Sequence, residues 1–131
     1  MSIKNTFKAW FQKGEDDNET FLPETENSIF TLKVDNIEIG TLRCENGYWE
    51  FRYSESFKSQ TEYKLITGFP DIDKVYKDRN LWPFFRIRIP GLKQPAVQEI
   101  IKQENLNQEN EASLLKRFGK KSISNPYELV W

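Results

Sequence analysis

The chain has 131 residues, of which 37% are hydrophobic, 15% aromatic and 30% charged, and its 19 basic and 20 acidic side chains leave a net charge of −1. That length suits one globular domain with its own core, and the near-neutral balance offers no global attraction to nucleic acid or an anionic membrane. A single cysteine, Cys44, and no histidine exclude an intrachain disulfide framework, zinc or iron–sulfur clusters of soft ligands, and every Ser-His, Cys-His or His-metal arrangement.

Ile3, Phe7, Trp10 and Phe11 fall on one stripe of a short amphipathic helix. Gln12 to Asn27 is polar and acidic, with Gly14 and Pro23, and reads as a linker. Residues 1–27 are therefore an amphipathic segment on an acidic tether, and residues 28–131 the domain. The apolar stripe either folds back on that domain or meets a partner, and both readings stand.

From Ser28 the period becomes two. Phe30, Leu32 and Val34 predict a first strand, and Asp35-Asn36 a tight turn. Ile37 and Ile39 open a second strand, and Gly40 shifts the apolar register to Leu42 and Cys44, which predicts a bulge or a close backbone approach. Asn46-Gly47 is a hairpin signal, and Trp49, Phe51 and Tyr53 share one face of a third strand. Residues 28–53 thus read as an antiparallel meander with an aromatic inner face. Tyr63, Leu65 and Thr67 predict a further strand, whereas Ile72 to Asn80 fits a helical turn or a loop.

Leu81-Trp82-Pro83-Phe84-Phe85-Arg86-Ile87-Arg88-Ile89-Pro90 follows, with three aromatics in four residues and a proline at each end of an alternating run. The alternation predicts a short edge strand, with Arg86 and Arg88 on one face and Ile87 and Ile89 on the other. Trp82 precedes a proline in extended or turn geometry, and is either a core tryptophan or an anchor for a partner. Arg86 and Arg88 are either solvated or, with Trp82, contacts for carboxylates or phosphates of a partner.

Pro95 opens a helix carrying Val97, Ile100 and Ile101 on one side. Glu111 to Phe118 predicts another, with basic residues in its last turn and Gly119 after it. Ser124 or Asn125 caps a final short turn that contains Tyr127 and Leu129.

No glycine-rich phosphate loop is present, because Gly119-Lys120-Lys121-Ser122 lacks the earlier glycine and follows a helix. Paired carboxylates such as Asp71 and Asp73 lie in polar loops with nothing to raise a pKa. Lys116, Arg117, Lys120 and Lys121 could touch phosphates or simply complement a helix C-terminus. The chain is expected not to be an enzyme and to need no cofactor or metal. No apolar stretch reaches the roughly 20 residues of a membrane span and no export signal stands at either end, so a cytoplasmic protein is expected.

In order, Ile39-Gly40-Thr41-Leu42, Trp49-Glu50-Phe51-Arg52-Tyr53, Phe69-Pro70-Asp71, Leu81 to Pro90, Leu114-Leu115-Lys116-Arg117-Phe118-Gly119 and Asn125-Pro126-Tyr127-Glu128-Leu129 resemble the N-terminal domain of HipA-type serine/threonine kinases, the toxins of bacterial toxin–antitoxin systems. The resemblance covers roughly residues 28–130. It implies an α+β fold, a small antiparallel sheet or barrel of about five strands followed by C-terminal helices. In that family the domain packs on a kinase body that holds the catalytic, phosphate and metal motifs, and this chain ends where the body would begin. The resemblance therefore implies a free-standing copy, as in the tripartite HipBST arrangement, where the small HipS protein binds and neutralises the separate HipT kinase.

The expected function is a non-catalytic antitoxin or regulatory subunit. Its expected partner is a HipT-like kinase, with a HipB-like DNA-binding protein as a second candidate, and its partner-binding set is Leu81, Trp82, Pro83, Arg86 and Arg88. Two alternatives remain: a detached domain that completes a split kinase, and an accessory module associated with nucleic acid. Direct nucleic-acid binding is not expected.

Overall fold

The structure, a computed structural model, describes residues 19–131. Strands β1 (Ser28–Val34), β2 (Ile37–Glu45) and β3 (Tyr48–Tyr53) form the antiparallel meander that the period of two predicts. The first turn places Asp35 at φ 52°, and the second places Asn46 and Gly47 at φ 55° and 79°, the positive values that suit the right-handed twist of a hairpin. Leu32 pairs with Gly40 and Lys33 with Glu38, so Ile39 is the extra residue of a bulge. A Cβ at Gly40 would overlap the Arg52 carbonyl oxygen and stand 2.8 Å from the Phe51 ring. The glycine thus marks both the bulge and the close approach.

Two three-residue strands complete an open sheet of order β4-β3-β2-β1-β5: β4 (Tyr76–Asp78) beside β3, and β5 (Glu128–Val130) beside β1. The fold is α+β, with a five-stranded antiparallel sheet that does not close into a barrel. Phe30, Leu32, Leu42, Trp49, Phe51 and Leu129 line the buried face. The aromatic packing centres on Phe51, whose ring lies 4.6 Å from that of Phe69, 5.2 Å from Tyr53 and 5.5 Å from Phe85. Each such pair contributes about 0.5–1.5 kcal/mol beyond the area it buries. The opposite face carries Arg43, Glu50 and Arg52 in a row of ion pairs, with Lys77 and Arg79 over the Tyr48 ring.

Two strands stand elsewhere than the alternation puts them. Residues 63–67 form no strand, because the Tyr53 hydroxyl accepts the Ile66 amide (2.9 Å) and donates to the Phe69 carbonyl (2.7 Å), bonds a neighbouring strand would otherwise supply. A short helix, α1 (Glu55–Lys58), capped by the Ser54 hydroxyl, leads into this segment and buries Phe57. Within 72–80, read as helical turn or loop, Tyr76 to Asp78 instead pair with β3. The C-terminal residues form β5 rather than a turn.

Phe84 to Ile89 is not a strand either. Pro83 opens a single helical turn, α2 (Pro83–Arg86), and the amides of Arg88 and Ile89 continue it with bonds to the carbonyls of Phe85 and Arg86, three residues back. Proline's fixed φ favours the first position of a helix. The coil also buries Leu81, Phe85 and Ile89 together, a spacing of four that the Arg-Ile alternation masks.

The predicted helices form as α3 (Pro95–Glu104), burying Val97 and Ile101, and α4 (Glu111–Phe118). Arg117 of α4 makes a two-pronged bond to Glu104 of α3 at 2.7 and 3.0 Å. Gly119 follows α4 at φ −90°, so it is not a left-handed cap. It is required by space, since a Cβ would overlap the Leu115 carbonyl oxygen.

The amphipathic stripe Ile3/Phe7/Trp10/Phe11 lies outside the described residues. The acidic segment that follows is packed from Thr20 onwards. Phe21 exchanges backbone bonds with Glu109 and Glu111, and Leu22 is buried. The Glu26 carboxylate accepts from Ser28 (2.7 Å) and Asn110 (3.1 Å) and lies 3.7 Å from Lys116, so its pKa is lowered, chiefly by the Ser28 bond.

Candidate functional site

The turn at 81–89 separates a buried side from a displayed one. Leu81 is 1% exposed, and Phe85 and Ile89 are equally enclosed. Above them stand Trp82, Pro83 and Arg86, with Ile87 44% exposed. The alternating reading, which puts both arginines on a wet face and both isoleucines inside, is therefore corrected: Ile87 is exposed and Arg86 half-buried, whereas Arg88 and Ile89 are both buried.

Trp82 is half-buried. Its backbone is extended (φ −64°, ψ 148°), as expected before proline, and its carbonyl accepts the amides of Phe85 (3.0 Å) and Arg86 (2.9 Å). Its ring meets Phe69 edge to face at 5.3 Å. The indole is thus both packed and presented. Arg86 donates to the Leu81 carbonyl at 3.0 Å, which folds its side chain along the turn. Neither Arg86 nor Pro90 is without a further partner.

Arg88, 4% exposed, is an interior clamp. Its Nη1 donates to the carbonyls of Gly119 (3.0 Å) and Lys120 (3.3 Å), and its Nη2 to Asn125 Oδ1 (3.1 Å) and the Tyr127 carbonyl (2.9 Å). The guanidinium also sits 5.8 Å from the Phe84 ring centre. One cation thereby joins the end of α4 to the start of β5. Burial lowers its pKa to about 10, which leaves it charged at neutral pH. Leu81 and Arg88, grouped by sequence with Trp82, Pro83 and Arg86 as partner-facing, thus belong to the interior, because core packing and carbonyl capping already occupy them.

A second polar group was not legible in the sequence. Glu111, 5% exposed, accepts the Trp49 indole N–H at 2.8 Å and the Thr20 hydroxyl at 3.2 Å. Burial raises its pKa, against the lowering effect of those two bonds and of the nearby Arg86 guanidinium. No motif marks a carboxylate in the first turn of a surface helix as buried. Its only forewarning is Asn110, whose side chain caps the helix by accepting from Ala112 and Ser113 and so fixes which residue turns inwards.

A groove of about 540 Å³ runs between Val34, Asp35, Tyr63 and Tyr127. The Tyr63 hydroxyl donates to Asp35 at 3.1 Å, and this bond is the first cause of a Tyr63 pKa pushed up to about 12. Of the C-terminal basic cluster, Lys116 pairs with Glu26 and Arg117 with Glu104. Among the described residues no three acidic, cysteine or histidine side chains gather as a metal site, and no helix is long and apolar enough to cross a membrane.

The model of the HipA N-terminal domain family matches residues 31–123, which include the whole 81–89 turn. No curated protein matches the chain.

Proposed function

The chain belongs to the HipA N-terminal domain family, and on that premise we propose that it is a non-catalytic antitoxin subunit that binds and neutralises a separate HipT-like serine/threonine kinase in the bacterial cytoplasm. The observation that carries the proposal is the division of the 81–89 turn. Buried Leu81, Phe85 and Ile89 hold the turn in place, and the turn carries half-buried Trp82 and Arg86 together with exposed Pro83 and Ile87. Tryptophan and arginine on a preorganised support are the residue types that carry binding energy at protein interfaces, because little side-chain freedom remains to be lost on association. Occupation or distortion of the kinase's nucleotide or substrate cleft by this group would inhibit it.

Co-expression with the kinase tests the reading. Restored growth is expected with the wild-type chain, and toxicity is expected to return with Trp82→Ala that still melts cooperatively. Unchanged or greater toxicity with the wild-type chain would instead identify a domain that completes and supports the kinase.

A further inference from the structure

We propose that the groove between Tyr63 and Tyr127 is a docking site for an arginine side chain on an extended segment of a partner protein, held by the two rings and by the Asp35 and Glu128 carboxylates. The groove shares no lining residue with the 81–89 turn, so the site stands whether or not that turn meets a kinase.

Its walls are built in advance of any occupant. Asp35 sits in the turn between β1 and β2 at φ 52°, and its Oδ2 accepts the Tyr63 hydroxyl at 3.1 Å, which leaves Oδ1 with no hydrogen-bond partner among the described residues. The Tyr63 ring meets that of Tyr127 edge to face at 6.2 Å. Tyr127 is fixed in turn through its backbone, because its amide donates to Asn125 Oδ1 and its carbonyl accepts from the buried Arg88. Little freedom is thus left to lose on binding.

The chemistry of these walls selects a cation. Both tyrosines are half-buried, and the faces of their rings attract positive charge. Asp35, which is exposed, and Glu128, which is half-buried, line the same groove against one base, Lys121. Among the described residues neither acid has a lysine or arginine within ion-pair distance, so the excess of negative charge is open to a partner. Arginine suits the site better than lysine, since a planar guanidinium stacks on an aromatic face and pairs with a carboxylate through two parallel donors. A volume of about 540 Å³ exceeds that of one side chain, so residues flanking the arginine would lie in the groove as well, beside Pro126.

The test titrates the peptide acetyl-Gly-Arg-Gly-amide into the isotope-labelled full chain and follows the ring signals of Tyr63 and Tyr127. Saturable shifts at both rings are expected. Asp35→Asn, which tolerates a positive φ and still accepts from Tyr63, should weaken binding about fivefold, and Glu128→Gln should weaken it too. The same peptide with citrulline in place of arginine, alike in shape but uncharged, should bind far more weakly. Equal shifts with the citrulline peptide, wild-type affinity in both variants, or no saturable shift at either ring would overturn the proposal. So would shifts of both rings caused by inorganic phosphate at matched ionic strength, since the groove would then be an anion site built on Lys121.

Discussion

The Trp49 indole N–H donates to the Glu111 carboxylate at 2.8 Å, tying β3 to the first turn of α4. Thr20 holds the other carboxylate oxygen, so one buried acid joins the sheet, the last helix and the incoming N-terminal segment.

Burial is the largest influence on Glu111 and raises its pKa above the ordinary 4.5. A carboxyl whose folded pKa is raised favours folding fully below its unfolded pKa, and loses that contribution as pH rises through the folded value. Glu111→Gln keeps an acceptor for Trp49 and does not titrate. The difference in unfolding free energy between wild type and Gln variant should therefore shift against the wild type as pH rises from about 4.5. Denaturant titrations across this range read it directly, and a constant difference would contradict it. Glu111→Ala, which strands the indole N–H, should cost about 1–3 kcal/mol at any of these pH values.

Arg88 makes four bonds to three carbonyls and one amide oxygen around the junction of α4 and β5. Removing the guanidinium takes one donor from each of those acceptors, although the Lys120 carbonyl keeps the Leu129 amide and Asn125 Oδ1 keeps the Tyr127 amide. Hydrogen bonds to a charged group are worth about 1.5–3 kcal/mol, so Arg88→Ala should destabilise by about 3 kcal/mol or more. Arg88→Lys retains the charge but not the planar fork and should lie between. Hydrogen exchange should locate the damage: the Leu129 amide, which donates to the Lys120 carbonyl at 2.8 Å, should lose protection first.

What the sequence showed of this fold followed from side-chain period and turn chemistry. The meander was legible because Phe30/Leu32/Val34 and Trp49/Phe51/Tyr53 alternate without interruption and Asn46-Gly47 fixes the hairpin. Gly40 announced its bulge. The short strands were not legible, because three residues such as Tyr76 to Asp78 are too few to display a period, and they are strands only through β3 beside them. At 84–89 the local alternation competed with a spacing of four through Leu81, Phe85 and Ile89, and proline at the first helical position decided the outcome. The same misreading carried Arg88 to the surface. Trp82, Pro83 and Arg86 were singled out by residue type, a reading that does not depend on whether the segment is strand or helix.

The Tyr53 hydroxyl offers a sharper test of why residues 63–69 form no strand. It accepts from Ile66 and donates to Phe69, and burial pushes its pKa up to about 12, so it remains a phenol with its donor intact at neutral pH. Tyr53→Phe keeps the stacking on Phe57 at 4.7 Å but leaves a buried amide and a carbonyl unpaired. A loss of about 2–4 kcal/mol is expected. Faster amide exchange should be confined to Ile66 and its neighbours, with β1 to β3 retaining their protection.

Trp82 separates packing from binding most directly. Its ring rests on Phe69 and is half-buried, so Trp82→Ala should cost about 2 kcal/mol of stability, below the roughly 3–5 of a fully buried tryptophan. Phe69 beneath it should then give the same stability loss when truncated as a core aromatic, but Trp82→Phe should restore most of what Ala loses, since a ring still meets Phe69. Binding should not follow that order. If the displayed indole is the anchor, titration calorimetry with the kinase should show Trp82→Ala weakened by about 2 kcal/mol or more, close to 30-fold, and Trp82→Phe only partly restored. Stability and affinity rising together from Ala to Phe to Trp in a fixed proportion would instead mean that the tryptophan acts through the fold alone. Arg86→Ala then serves as an independent measure of the same face, expected to lower affinity more than it lowers the melting temperature.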